Sequence, residues 1–305
     1  MISAASIKGR LKNKAQETGK TFQELLTLYG LERTIYRLSI SRFRENFTLK
    51  GGIFLYAVFD GNYSRATTDI DLLANSIRNS TEEIRETFVE IFDIEVDDPL
   101  EFDLSSITVR SIAELNKYHG VNVSVVAYLE RTRIPISIDI GFGDIVYPAR
   151  VQMNFPVVLS EFAPLIYAYS LCSVVAEKFE AVVSLAYDNS RYKDFYDIYV
   201  LATTHDFLGS EFAEAIKETF VNRHTDMFDI VVFEPGFAED PLRQSRWNAF
   251  VRKKKATLPI GLQETVALMK DLFEPVIMAI INDQQFASSW SCKLRRWIEP
   301  NLFSE

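Results

Sequence analysis

Two runs of β-branched residues repeat with a period of two. In Val121 to Val126 the odd positions 121, 123 and 125 are all valine. In Ile134 to Ile140 the even positions are all isoleucine, while Pro135, Ser137 and Asp139 occupy the alternate places. Successive side chains of a strand point to opposite faces, so each run predicts a strand with one apolar face. Beyond Pro156 the pattern turns helical and stays so, with one long helix over Tyr169 to Tyr187 and another over Asp194 to Thr203. This change of period predicts a boundary near residue 155. Residues 1–155 are expected to form an α/β domain, a small mixed β-sheet with flanking helices that include N-terminal ones. Residues 156–305 are expected to form a helical C-terminal domain.

Local signals fill in the first half. Thr21-Phe22-Gln23-Glu24 has capping-box spacing, and a preceding helix would carry Ile7, Leu11 and Ala15 on one face. Ile53 to Phe59 reads as a helix starting just after Gly51-Gly52 and broken by Gly61 and Asn62. Thr68 to Leu73 reads as a strand. Ser80-Thr81-Glu82-Glu83 opens a helix with Ile84, Phe88 and Ile91 inward.

Composition narrows the setting. The two cysteines, Cys172 and Cys292, permit one bridge at most, which fits a reducing cytoplasm. The N-terminus lacks an apolar signal region, and the most apolar stretch, Phe162 to Ala176, is too short to span a bilayer, so no membrane role is expected. A net charge of −9 argues against tight non-specific nucleic-acid binding. The charge is uneven, however. Residues 1–50 hold ten Lys/Arg against four Glu, and further basic runs are Arg252-Lys253-Lys254-Lys255 and Lys293, Arg295 and Arg296. These are either solvated helix faces or a local basic face for RNA. The three isolated histidines offer no zinc site. Trp247, Phe250, Trp290 and Trp297 have helical spacing and are expected in the core.

Asp69-Ile70-Asp71 is the sharpest chemical feature. On a strand the two carboxylates project together, about 6–7 Å apart, and repel one another. A divalent cation of the Mg²⁺ type, or Mn²⁺, relieves that repulsion. Asp139, on the polar side of the isoleucine strand, is the natural third ligand if the strands are neighbours. Three converging carboxylates are the layout of two-metal phosphoryl transfer. The alternatives are strand-end aspartates in turns, or the acidic pair of a nucleotide-sugar glycosyltransferase. Gly51-Gly52 before a short helix allows backbone to approach a phosphate, or makes an ordinary tight turn. Arg65 either touches a phosphate or merely sits in the loop.

Leu49-Lys50-Gly51-Gly52, Leu55, and Ser64 through Leu72 together resemble the AbiEii/AbiGii toxin family. These are nucleotidyltransferase-like toxins of bacterial toxin–antitoxin and phage-defence systems, MenT-type toxins among them, within the DNA polymerase-β superfamily. Glu177-Lys178-Phe179-Glu180-Ala181 and Asn189 through Tyr199 resemble the family's second signature. The likeness covers about residues 5–275 and leaves the last thirty unmatched. It implies that Gly51 and Gly52 cradle a triphosphate, Asp69 and Asp71 hold metal, Lys178 contacts phosphate and Asp194 completes the site. Asp139 is placed by strand logic, with Asp144 a nearby competitor. Read without the family, Lys178 either faces a cleft or pairs with Glu177 or Glu180 at the surface. Asp194 is equally explained as a helix cap, and Asp197 as a local partner.

The implied function is transfer of a nucleoside monophosphate from an NTP to an RNA hydroxyl, a tRNA 3′ end for example, with growth arrest as the outcome. A cognate antitoxin is the implied partner. Protein AMPylation and a non-catalytic nucleotide- or partner-binding module are the alternatives. The basic N-terminal segment is expected to border the site, with at least one of Arg37, Arg42 and Arg44 on its rim. The helical domain is expected to close the cleft, so that Gly51 and Lys178 share it.

Overall fold

The computed structural model describes residues 2–63, 67–114, 118–159, 162–188, 190–253 and 260–299. They pack as two units. The first lies within residues 1–144 and 150–169, the second within 145–149 and from 170 onward.

In the first unit, α1 (Ala4–Thr18) is capped by Ser3 and buries Ile7 and Leu11. The capping box of α2 (Phe22–Ile40) is present in both directions, the Thr21 hydroxyl accepting from the Glu24 N–H and the Glu24 carboxylate from the Thr21 N–H. Strand β1 (Phe47–Lys50) runs without a loop into α3 (Gly51–Val58). The glycines are therefore the first residues of the helix rather than the turn before it. Strand β2 (Ile70–Ala74) begins later than the expected Thr68, because its ladder starts at Ile70 opposite Ile138. Asp69 consequently lies one residue before the strand, where the Thr67 hydroxyl bonds the Asp69 carbonyl at 3.3 Å. Helix α4 (Thr81–Phe92) is capped by Ser80 and turns Ile84, Phe88 and Ile91 inward, as its spacing predicts.

Strand β3 (Leu100–Glu114) has no clean signature in the sequence. A bulge between Asp103 and Thr108 breaks the two-residue alternation, and there the Ser106 hydroxyl accepts the Val126 N–H at 2.9 Å. Strands β4 (Tyr118–Leu129) and β5 (Thr132–Phe142) contain the two alternating runs and extend beyond both. Strands β6 (Val151–Asn154) and β7 (Leu165–Ala168) flank Pro156. The stretch after residue 156 is thus not helical at once. Leu165–Ala168 joins the first unit's sheet, a run too short for periodicity to separate strand from helix.

The sheet is mixed, in the order β3-β4-β5-β2-β1-β7-β6, with β2–β5 and β1–β7 parallel and the other pairs antiparallel. Val121, Val123, Val125, Ile134, Ile136, Ile138 and Ile140 are all buried on one face. Helix α2 lies so close to that face that a Cβ on Gly30 would stand 2.8 Å from Ile134 Cγ2. A larger residue there would wedge the helix off the sheet.

The second unit holds α5 (Leu171–Leu185), α6 (Tyr192–Thr204), β8 (Phe207–Leu208), α7 (Gly209–Asn222), α8 (Pro241–Lys253), α9 (Leu262–Ile281), β9 (Ser289–Ser291) and β10 (Arg296–Ile298). The last three strands form a small sheet, β10-β9-β8, which the expected all-helical half did not include. The tryptophans pack as expected. The indole N–H groups of Trp247, Trp290 and Trp297 donate to the carbonyls of Ile260, Ala202 and Leu272. Among the described residues no helix is long and apolar enough to cross a membrane.

Candidate active site

Asp71 and Asp139 are register partners on the parallel strands β2 and β5, so their side chains leave the sheet on one face. Asp69 joins them from just before β2. One carboxylate oxygen of each lies within 4.8 Å of the others, and all three residues are half-buried. At that separation two ionised carboxylates repel by about 3 kcal/mol at an effective dielectric of about 20. The cluster must therefore be held in place by its surroundings or neutralised by a cation.

Its surroundings hold it firmly. Asn122, opposite Asp139 on β4, donates to Asp139 Oδ1 at 2.6 Å and to the Ser137 hydroxyl at 2.8 Å. The Asn122 carbonyl oxygen in turn accepts from Ser124 at 2.9 Å. Asp71 Oδ2 accepts from the Gly52 N–H at 3.3 Å. Gly51 has φ +69°, and a Cβ there would stand 1.8 Å from Asp71 Oδ2. Only glycine satisfies both the backbone angle and the close approach. The donor set consists of hard carboxylate oxygens, converging beside a glycine cradle. That chemistry fits Mg²⁺ or Mn²⁺.

Asp144 does not join the carboxylate cluster. Its carboxylate is buried and bonds Lys50 Nζ at 2.6 Å, and the Tyr169 hydroxyl sits 3.4 Å from the same ammonium. Sequence reasoning missed both Lys50 and Asn122. Asn122 acts through its register partner Asp139 and Lys50 through Asp144, ninety-four residues away, and contacts between distant segments leave no mark in local spacing.

The second signature also comes together, within the second unit. Lys178 on α5 reaches Asp194 Oδ1 at 3.1 Å and Asp197 Oδ2 at 2.7 Å on α6. Arg191 Nε adds an ion pair to Asp194 Oδ2 at 2.8 Å. Glu177 and Glu180 pair with Arg223. Asp194 is the third residue of its helix and serves as a buried counter-ion rather than an N-cap.

Arg65 lies outside the described residues, as do Lys254 and Lys255. The basic N-terminal segment is less positive in place than in sequence. Arg33 and Arg37 are buried and both bond Asp98, so Arg37 is no rim residue. Arg42 pairs with Glu90 at 2.6 Å, and Arg44 lies over the Tyr167 ring. Beside the Arg33–Asp98 pair, burial pushes the Glu32 carboxyl up to about 7, against the lowering effects of the Val158 N–H and Arg33.

A protein-family model, "Nucleotidyl transferase AbiEii toxin, Type IV TA system", matches residues 33–268. The chain belongs to the AbiEii nucleotidyltransferase toxin family. The match spans the glycine pair, all three aspartates and the Lys178–Asp194 cluster, so both units belong to the AbiEii enzyme. The family name carries the reaction class and the toxin–antitoxin setting, and with them a nucleotide substrate and an antitoxin partner. Among solved structures, JHP933 from Helicobacter pylori is similar at 14% identity and TM-score 0.45, with 85% of this chain and 94% of that one covered. A candidate nucleotidyltransferase from H. pylori is similar at 14% identity and TM-score 0.44, with 84% and 96% covered. A comparison with curated proteins finds no match.

Proposed function

We propose that this AbiEii toxin transfers a nucleoside monophosphate from an NTP to an RNA hydroxyl, with divalent metal held by Asp69, Asp71 and Asp139. The observation that carries this reading is the convergence of three carboxylates within 4.8 Å beside Gly51. Bound Mg²⁺ or Mn²⁺ would supply neutralisation of phosphate charge and acidification of the attacking hydroxyl. The chain's own residues supply position. Gly51 leaves room for the Asp71 carboxylate, and Gly51 and Gly52 are assigned to the triphosphate through the backbone N–H groups at the start of α3. Asn122 fixes the Asp139 carboxylate through one oxygen, leaving its other oxygen to take the acceptor's proton. The acceptor oxygen forms a bond to the α-phosphorus, the bond from that phosphorus to the bridging oxygen breaks, and pyrophosphate leaves with the electron pair. Lys178 and Asp194 are assigned to phosphate contact and to its orientation, on the strength of the second signature. A cognate antitoxin, a cytoplasmic setting and a tRNA 3′ end as acceptor belong to the same reading.

The test is incubation with each labelled NTP and total cell RNA, resolved on a gel that also shows labelled protein. Label on RNA with at least one NTP is expected. Label on polypeptide instead moves the reaction to AMPylation, and no label with any NTP removes the activity. In parallel, Mn²⁺ is titrated against wild type and the Asp69→Asn, Asp71→Asn double variant. Equal affinity in the two would refute the metal assignment.

A further inference from the structure

The carboxylates stand at one end of a polar trough that no step above uses. The face of β3, β4 and β5 opposite the apolar core carries a cavity of about 370 Å³ in the first unit. Its lining includes Thr68, Ser106, Thr108, Ser124 and Ser137, together with Arg133. Ser106, Ser124 and Ser137 are half-buried, while Thr68, Thr108 and Arg133 are exposed. Among the described residues Arg133 has no ion pair. Val126 and its register partner Pro135 give the floor a small apolar patch. The trough joins the carboxylates directly, since Ser124 bonds Asn122, and Asn122 bonds both Ser137 and Asp139.

The sheet order gives this trough its meaning. Asp71 and Asp139 sit on β2 and β5, with Asp69 just before β2. Gly51 and Gly52 follow β1, on one side of that pair, whereas β4 and β3 lie on the other. In an in-line displacement the attacking oxygen and the departing pyrophosphate occupy opposite sides of the α-phosphorus. With the triphosphate on the glycine side, the attacking hydroxyl must arrive from the side of the trough. Resting on the RNA reading above, we propose that this trough seats the terminal nucleotide of the acceptor. A cavity of this volume suits one nucleotide. Hydroxyls along the wall match the ribose and the base edges, the Val126–Pro135 patch underlies the base, and Arg133 meets a backbone phosphate. Among the described lining residues none is acidic, which keeps the trough open to a polyanion.

Thr108 and Arg133 touch none of the three carboxylates, so they test the seat without disturbing the metal ligands. Thr108→Phe fills the trough and Arg133→Glu repels phosphate, while Thr108→Ser and Arg133→Lys keep the chemistry. The full-length variants are assayed for KM toward a short single-stranded RNA, for KM toward NTP and for direct binding of the same RNA carrying a 5′ fluorophore. Tenfold or greater loss in KM and in RNA binding is expected for Thr108→Phe and Arg133→Glu. The NTP KM should stay within twofold, and the conservative pair should sit near wild type. RNA constants unchanged in variants of a wild type that does modify RNA would overturn the seat alone. A parallel tenfold rise in NTP KM would overturn it in favour of nucleotide binding in the trough. A wild type that labels no RNA would overturn the RNA reading, and the seat with it. Melting curves that match wild type show that neither substitution acts by unfolding.

Discussion

Replacing Gly51 by alanine separates the two demands that the structure makes on this residue. The first is conformational. A non-glycine residue at φ +69° costs about 1–2 kcal/mol. A shift of about 2–8 °C in melting temperature should follow for a unit of this size. The second is positional. The new Cβ would lie 1.8 Å from Asp71 Oδ2, whereas ordinary contact begins near 3.4 Å, so the carboxylate must retreat by about 1.6 Å or the helix start must yield. Displacing a reacting or ligating group by about 1 Å lowers turnover on the order of 100-fold. Gly19→Ala is the control, because Gly19 has nearly the same φ, +70°, with nothing within 4 Å of a built Cβ. Both variants should lose similar stability, and Gly51→Ala alone should lose 100-fold or more in kcat/KM and bind Mn²⁺ more weakly. The assay is NTP turnover with a parallel Mn²⁺ titration. Gly51→Ala within threefold of wild type would show that Asp71 does not need its place beside the glycine.

Asn122→Ala should weaken Mn²⁺ binding by roughly 10–100-fold, the usual effect of losing a partner that orients a ligand, while Asn122→Asp should add repulsion and do worse; calorimetric titration reads both. Lys178→Met leaves Asp194 and Asp197 buried around a missing cation and should cost about 3–5 kcal/mol of stability. Lys178→Arg should recover most of it, and an unchanged melting temperature in Lys178→Met would refute the buried-pair account. Glu32 gives a pH test. Its folded carboxyl is raised from 4.5 to about 7, so the folded state binds the extra proton between those values. The Glu32 contribution to stability is therefore fully present below pH 4.5, is lost as pH rises through 7 and is absent above. Glu32→Gln keeps an acceptor for the Val158 N–H and should gain on wild type by about 2–3 kcal/mol between pH 5 and pH 8. A denaturation-midpoint difference that is the same at both pH values would exclude this proton linkage.

The AbiEii sequence alone determined what repeats locally. The valine and isoleucine alternation produced β4 and β5 because a half-buried strand needs apolar residues every second position. The capping signals at Thr21 and Ser80 started their helices because the first turn's N–H groups need acceptors. The acidic pair and the glycines were legible as types suited to metal and phosphate. Tertiary structure decided everything that depends on which strands are neighbours. Asp139 rather than Asp144 is the third carboxylate because β5 pairs parallel to β2 in a register that sets Asp139 opposite Asp71, while Asp144 is drawn to Lys50. Asn122 became a partner of Asp139 through antiparallel pairing of β4, and the bulge in β3 hid a fifteen-residue strand from any test of period. The N-terminal arginines looked like a basic face until folding placed Arg33 and Arg37 around the buried Asp98. Local periodicity reports which side of an element is buried; contacts between distant segments are set by register and packing, which a linear sequence does not display.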